Sequence, residues 1–420
     1  MKILVIGGGG REHAIIKKLA QSPKKPQLFC APGNGGISQE AVCVPFRATD
    51  KEAAVDFAVK NQIDLVVVAP DDPLSIGMVD ALTAAGIRAF GPVAAAARIE
   101  SSKVFSKGLM KKYGIPTAAY EVFTDSAAAI AYLERSGQKY PAVIKADGLA
   151  LGKGVIIAPD FAAAREAVRG MLDEGMFGTS GRQVVIEEFM TGPEVTVLAF
   201  TDGKTIKPMV SSQDHKRAFD GDLGPNTGGM GAFSPSVKYT DEIAAVCMET
   251  IYKPTVAALA AEGIQYKGVI YFGLMLTPEG PRVVEYNSRF GDPEAQCILP
   301  RLETDLIEIF EAVIDERLDA VDIVWRPEAA CCVVLASGGY PVKYRSGYEI
   351  SGIADAEKAG AVVYHAGTKK EDGRFYTAGG RVIGVTGLGN TLEDAIRTAY
   401  ESAAHISWTD FFYRKDIGRK

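Results

Sequence analysis

Glu285, Asn287 and Arg289 stand two residues apart in the stretch Glu285-Tyr286-Asn287-Ser288-Arg289-Phe290-Gly291-Asp292-Pro293-Glu294-Ala295-Gln296. On a strand end a period of two turns all three to one face. A carboxylate and a carboxamide are hard oxygen ligands of the kind Mg²⁺ takes when it also bridges nucleotide phosphates, and a guanidinium is a planar fork matched to a carboxylate or phosphate. Taken alone the triplet also fits an exposed ion pair of little energetic weight. The context favours the chemical reading: Lys267 to Thr277, the turn Pro278-Glu279-Gly280 and Pro281 to Tyr286 read as an apolar hairpin that feeds the triplet.

Lysines come next. Lys145 sits in the apolar strand Ala142-Val143-Ile144-Lys145-Ala146, where its charge costs desolvation unless an anion meets it. Asp147 to Val155 follows, glycine-rich and carrying Lys153; its spacing is not that of a P-loop, and it reads either as a hairpin closing over phosphates or as a simple turn. Val184 to Glu194 supplies an apolar strand and acids at its exit, where exposed backbone can read an adenine edge and Glu194 can accept from ribose hydroxyls. Gln213 to Pro235 has no helical or strand periodicity; with Asp214, His215, Lys216, Arg217 and Asn226 it reads as an ordered substrate loop.

These residues need a frame. With 420 residues the chain should divide into about three domains. Residues 1 to about 100 alternate short apolar runs with amphipathic helices (Glu12 to Gln21, Lys51 to Asn61, Leu74 to Ala85), the pattern of a parallel sheet covered on both faces. The first turn, Gly7 to Gly10 and then Arg11-Glu12, opens a helix and suits an anion. A dinucleotide fold would place a glycine where Glu12 stands and an acid where the chain reads Cys30-Ala31-Pro32, so a nicotinamide oxidoreductase is disfavoured. From Ser101 two mixed α/β lobes follow, with a helix from Ser102 to Tyr113; Trp325-Arg326-Pro327 marks a linker, and short strands with the helix Leu392 to Ala404 make a last α+β domain. The net charge of −6 and the lack of a basic run argue against nucleic acid or an anionic membrane. Six cysteines without a C-x-x-C pair read as buried thiols in a reducing compartment, and neither a signal peptide nor an apolar run of spanning length is expected, which together indicate the cytoplasm.

Across KILVIGGGGREHA, APGNGG, IKADGLALGKGV, VVIEEFMTGPE, SQDHKRAFDGDLGPNTGGMGAFSP, EYNSRFGDPEAQ, HAGTK, GGRV and FYRKDIG the chain resembles the glycinamide ribonucleotide synthetase family of the ATP-grasp superfamily. The resemblance implies an α/β ATP-grasp fold with an N-terminal parallel-sheet domain (1–101), an ATP-grasp domain (102–325, its smaller lobe about 119–190) and a small C-terminal α+β domain (326–420). It implies ATP-dependent ligation of glycine to 5-phosphoribosylamine through a glycyl phosphate, in purine biosynthesis, by a monomer. Lys103, Lys145, Gly152, Lys153 and Gly154 would hold phosphates, Glu187, Glu188, Phe189 and Glu194 would surround adenosine, and Glu285 and Asn287 would bind Mg²⁺ or Mn²⁺. Arg289 and Lys145 would be catalytic. Gly8, Gly9, Gly10, Arg11, Glu12, Asn34, Asp214, Lys216, Arg217, Asn226, Thr227, Gly229 and Arg289 would hold the two small substrates. Asp71, Leu151, Ser288 and Tyr271 depart from the expected pattern, Tyr271 standing where other superfamily members carry a metal-binding acid. The rival classes are a silent ATP-binding sensor and an ATP-grasp ligase or carboxylase acting on another acid.

Overall fold

A computed structural model describes residues 1–135, 137–149 and 154–419. The N-terminal strands Lys2–Gly7, Gln27–Pro32, Val42–Cys43, Leu65–Val68 and Ala89–Phe90 form one parallel sheet with Lys2–Gly7 at its centre, Val5 beside both Cys30 and Val67. Its two faces bury separate apolar clusters, Ile3 and Val5 on one, Leu4 and Ile6 on the other, which is why the strands read as continuous apolar runs. The helix expected over Leu74 to Ala85 is two helices, Asp71–Ser75 and Met78–Ala84, because Gly77 takes φ +83° between them. Ser102 caps the helix Lys103–Tyr113 through Phe105 N–H, and Asp125 and Asp160 cap the next two helices in the same way; such caps contribute about 1 kcal/mol each.

Two antiparallel sheets follow. The smaller has the order Tyr120–Phe123, Val184–Glu188, Ala142–Ala146, Val155–Ala158. The larger has the order Ile206–Pro208, Glu194–Thr201, Gly268–Thr277, Gly280–Asn287. The hairpin is present as expected, but its second strand ends at Asn287, so Arg289 lies beyond the strand and period two does not govern it. The run Asp241–Ala261 is long and apolar enough to cross a membrane by length and composition, contrary to expectation. Cys247, Ile251, Tyr252, Val256 and Leu259 pack one face of it onto Phe272 and Tyr286 of the hairpin.

The segment from Gln213 to Pro235, expected without strands, contains four short ones: Gln213–Asp214, Arg217–Phe219, Leu223–Asn226 and Gly231–Ser234. The last is wholly buried and pairs with Ala329–Ser337 of the C-terminal sheet, so residues on both sides of Trp325-Arg326-Pro327 share one sheet. That stretch is itself fastened, Trp325 bridging Leu302 and Arg326 N–H donating to Arg301 at 2.7 Å. The C-terminal helix Leu392–Ala403 covers the sheet, and buried Arg414 donates to Arg217 O and pairs with Asp222, pinning the segment from behind. All six cysteines are free thiols.

Candidate active site

The hairpin builds the floor. Asn287 faces Tyr271 and Glu285 faces Gly273 across the pair, while Val284 is an extra residue between Glu285 and Val283. A bulge of this kind releases a carbonyl from the ladder, and Val284 O accepts from Lys145 Nζ at 3.3 Å. Lys145 thereby joins the small sheet to the large one. Its side chain is 6% exposed and also pairs with Glu187 Oε2 at 2.9 Å, which Lys107 meets at 3.1 Å. An unpaired buried charge here would cost about 3–5 kcal/mol, so the pairing is what allows a lysine in an apolar strand. Glu187 Oε1 has no hydrogen-bond partner among the described residues. Burial outweighs Glu187 in pulling the Lys107 amine down to about 8.

Two adjoining cavities share Lys145, Val155, Glu187, Asp214, Val284 and Glu285. One, about 580 Å³, is walled by Val143, Ile157 and Met275 with the strand exit Glu188 to Met190 at its edge. The other, about 420 Å³, is strongly charged: Lys103, Glu285, Asn287 and Arg289 meet Arg11, Asp71 and Arg381. A slot with an apolar wall of Val143, Ile157 and Met275, lined also by charged side chains such as Glu194 and Lys216, adjoins a cavity of alternating charge, and the pair suits a nucleoside with its phosphates and a small zwitterion.

Burial pushes the Glu285 carboxyl up, but Lys216, Lys145, Lys103 and Arg289 together outweigh it and hold it below the usual range. Its nearest cation, Lys216 Nζ, is 3.6 Å away. Among the described residues Asn287 Oδ1 has a single long contact, 3.4 Å from Arg289 Nη2. An ionised carboxylate and a nearly free carboxamide oxygen in one cavity fit a hard divalent cation that completes its shell with phosphate oxygens. Burial raises Asp214 to about 7 despite Lys216, and Tyr271 donates to Glu294 Oε1 at 3.0 Å where other superfamily members were expected to carry a metal-binding acid.

Several expected residues are placed elsewhere. Gly9 N–H is taken by Glu12 Oε2 at 2.6 Å, and Glu12 Oε1 binds Arg11 Nε, so the helix N-terminus expected to cradle a phosphate is capped by its own glutamate. Packing accounts for the glycines: a Cβ on Gly8 would lie 2.4 Å from Gly33 O, and one on Gly10 2.5 Å from Gln296 Nε2. Of that turn, Arg11 lines the charged cavity. Asn34 is a bracket, donating to Gly8 O and His365 O and accepting from Gly36 and Ile37. Glu188 accepts from Ala119 N–H and pairs with Arg282, although it borders the apolar slot. Phe189, Glu194, Lys216, Arg217 and Asn226 lie on that slot, whereas Thr227 lies on the charged cavity and Gly229 is packed against Pro293. Gly154 lines the charged cavity; Leu151, Gly152 and Lys153 lie outside the described residues.

The charged cavity adds residues that motif reading missed: Glu100, Lys107, Asp292, Glu294, Tyr340 and Arg381. Asp292 and Glu294 stood in the opening motif, where their acidity was the available signal. Arg381 reaches Asp292 O at 2.6 Å and Gly228 O at 2.7 Å from the C-terminal sheet, and Tyr340 accepts from Gly228 N–H. Asp71 also belongs here, its carboxyl held low by Arg289 and Arg11 against the effect of burial.

Three family models described as phosphoribosylglycinamide synthetase match this chain: the N domain over residues 1–100, the ATP-grasp (A) domain over 101–295 and the C domain over 330–420. A phosphoribosylamine–glycine ligase of Allochromatium vinosum is 50% identical over 423 residues, covering 100% of this chain and 98% of that protein. The crystal structure of a phosphoribosylamine–glycine ligase from Thermotoga maritima matches with a TM-score of 0.84 at 32% identity, over 99% of this chain and 100% of that one. The biotin carboxylase domain of Hydrogenobacter thermophilus 2-oxoglutarate carboxylase, TM-score 0.74 at 15% identity over 98% and 91% of the two chains, shares the fold alone.

Proposed function

The chain belongs to the phosphoribosylglycinamide synthetase family and is an ATP-dependent ligase of glycine and 5-phosphoribosylamine in purine biosynthesis; from that premise we propose that it works through a glycyl phosphate made in the charged cavity. The observation that carries this reading is the convergence of Lys103, Lys145, Glu285, Asn287 and Arg289 on one cavity that opens into an apolar slot. Adenosine would occupy the slot, against Val143, Ile157 and Met275, with its triphosphate directed to Lys145 and Lys103. Glu285 and Asn287 would hold Mg²⁺ or Mn²⁺. When bound, the cation supplies neutralisation of phosphate charge and fixes the geometry of transfer.

Arg289 neutralises the glycine carboxylate, and then the charge that develops as its oxygen attacks phosphorus. Phosphoryl transfer asks for this kind of positioning more than for covalent help. The second substrate's amine then attacks the acyl carbon, an amide forms, and phosphate leaves with one oxygen that began on glycine. The labour divides among residues 1–101, 102–325 and 326–420: Arg11 and Glu100 come from the first part, the lysines and hairpin from the second, Tyr340 and Arg381 from the third. In this reading the enzyme acts as a monomer on small soluble substrates in the cytoplasm.

Glycine labelled with ¹⁸O in its carboxylate tests the route. ADP and singly labelled inorganic phosphate are expected in equal amounts. Label in AMP would replace phosphorylation by adenylation, and unlabelled phosphate would remove the acyl phosphate altogether.

A further inference from the structure

Glu100 occupies a place that nothing local favours. It lies in the last turn of the helix Ala94–Ser101, where the helix dipole opposes a carboxylate, and it is buried. Burial and the neighbouring Asp71 both push its carboxyl up. Its direct contacts among the described residues come from just past the hairpin. Glu100 Oε2 accepts from Ser288 N–H and from Ser288 Oγ, each at 2.8 Å, and Oε1 meets Arg289 Nη2 at 2.8 Å.

Arg289 has few other holds. Nη1 reaches Phe290 O at 3.3 Å and Nη2 reaches Asn287 Oδ1 at 3.4 Å, while Nε finds no acceptor among the described residues. Glu100 is therefore its shortest contact. It fixes both the backbone from which the side chain departs and one arm of the fork. The same helix junction carries Lys103, three residues on, into the charged cavity.

Resting on the role given to Arg289 above, we propose that Glu100 is the positioning residue for Arg289, holding its guanidinium over the charged cavity so that the carboxylate to be phosphorylated meets a fixed fork. Glu100 itself does not touch the substrate. Without it the guanidinium keeps two long contacts and is drawn toward Asp71 and Glu294, carboxylates that also act on it from within the cavity.

The test is a double-mutant cycle on the full chain with Glu100→Gln, Arg289→Met and both together, reading kcat, KM for ATP, KM for glycine and Tm. Glu100→Gln should lower kcat by about tenfold or more and raise the glycine KM, with the ATP KM within about twofold of the starting protein. In the Arg289→Met background the same change should add nothing. A Glu100→Gln enzyme with normal turnover, or a defect that multiplies in full on top of Arg289→Met, overturns the proposal. Normal turnover in Arg289→Met alone overturns the role of Arg289 first, and the positioning role falls with it. If Glu100→Gln does not fold, Ser288→Ala decides: it removes one of the three contacts, so a few-fold loss of kcat that vanishes in the Arg289→Met background supports the proposal, and an unchanged kcat refutes it.

Discussion

Glu285 is the point at which four cations meet one carboxylate, with Lys216, Lys145, Lys103 and Arg289 all acting to keep it ionised. That arrangement separates two roles for the charge. It offsets repulsion among the cations before any ligand binds, and it supplies the anionic ligand once a metal does. Glu285→Gln keeps the volume and removes both. Turnover at saturating Mg²⁺ should fall at least about tenfold, equivalent to roughly 1.4 kcal/mol of transition-state stabilisation. Thermal stability without nucleotide should fall only slightly, and added inorganic phosphate should restore it, since an anion can replace the missing charge among the lysines. Near-normal steady-state turnover in that variant would return Glu285 to the exposed ion pair that the bare triplet also allowed.

At the level of the element, the hairpin shows why part of the site was readable and part was not. Its apolar strands, its turn and the types at 285, 287 and 289 are local features, and period two carries Glu285 and Asn287 correctly because the strand runs to Asn287. The bulge at Val284 has no local signature, yet it is what offers a carbonyl to Lys145. Glu100 and Ser288 lie 188 residues apart, and Arg381 and Asp292 lie 89 apart, so their pairing depends on how separate sheets dock and no spacing rule reaches it. The glycine turn has a second physical reason that its pattern does not announce: close packing against Gly33 and Gln296 also demands those glycines. Gly273 is the element's own test. A Cβ there would lie 3.2 Å from Glu285 Cγ, its partner across the pair, a contact that closes only if the carboxylate shifts by a few tenths of an ångström. Gly273→Ala should therefore raise the Mg²⁺ concentration needed for half-maximal turnover several-fold. Stability should hold or rise, since alanine loses less backbone freedom on folding than glycine. An unchanged Mg²⁺ requirement would mean that the position of Glu285 is not set by this pair.

Across the whole molecule, the first helix and the C-terminal region meet through two buried histidines. His365 N–H donates to His13 Nδ1 at 2.7 Å, which requires that nitrogen to be unprotonated, and Asn34 ties His365 O to Gly8 O. Burial lowers both imidazoles, His365 to about 3, with the charges of His13 and Lys17 adding to the effect. The sign follows from proton counting. In the unfolded chain a histidine takes up its proton near pH 6.5, whereas folded His365 does not until about pH 3. Between those values the unfolded state holds more protons, so stability is full above about pH 6.5 and is lost as the pH falls, by at most about 1.4 kcal/mol per unit for this group. His365→Phe keeps an aromatic ring beside Phe375 and removes the titration. Its absolute stability should be lower, because Thr368 Oγ1 loses its contact with His365 Nδ1. Its urea midpoint should nevertheless decline less steeply than that of the starting protein between pH 6.5 and 5. The slope is the decisive quantity, since packing damage shifts the whole curve and leaves its pH dependence alone, and parallel declines in the two proteins would show that His365 is not what acid attacks at this junction.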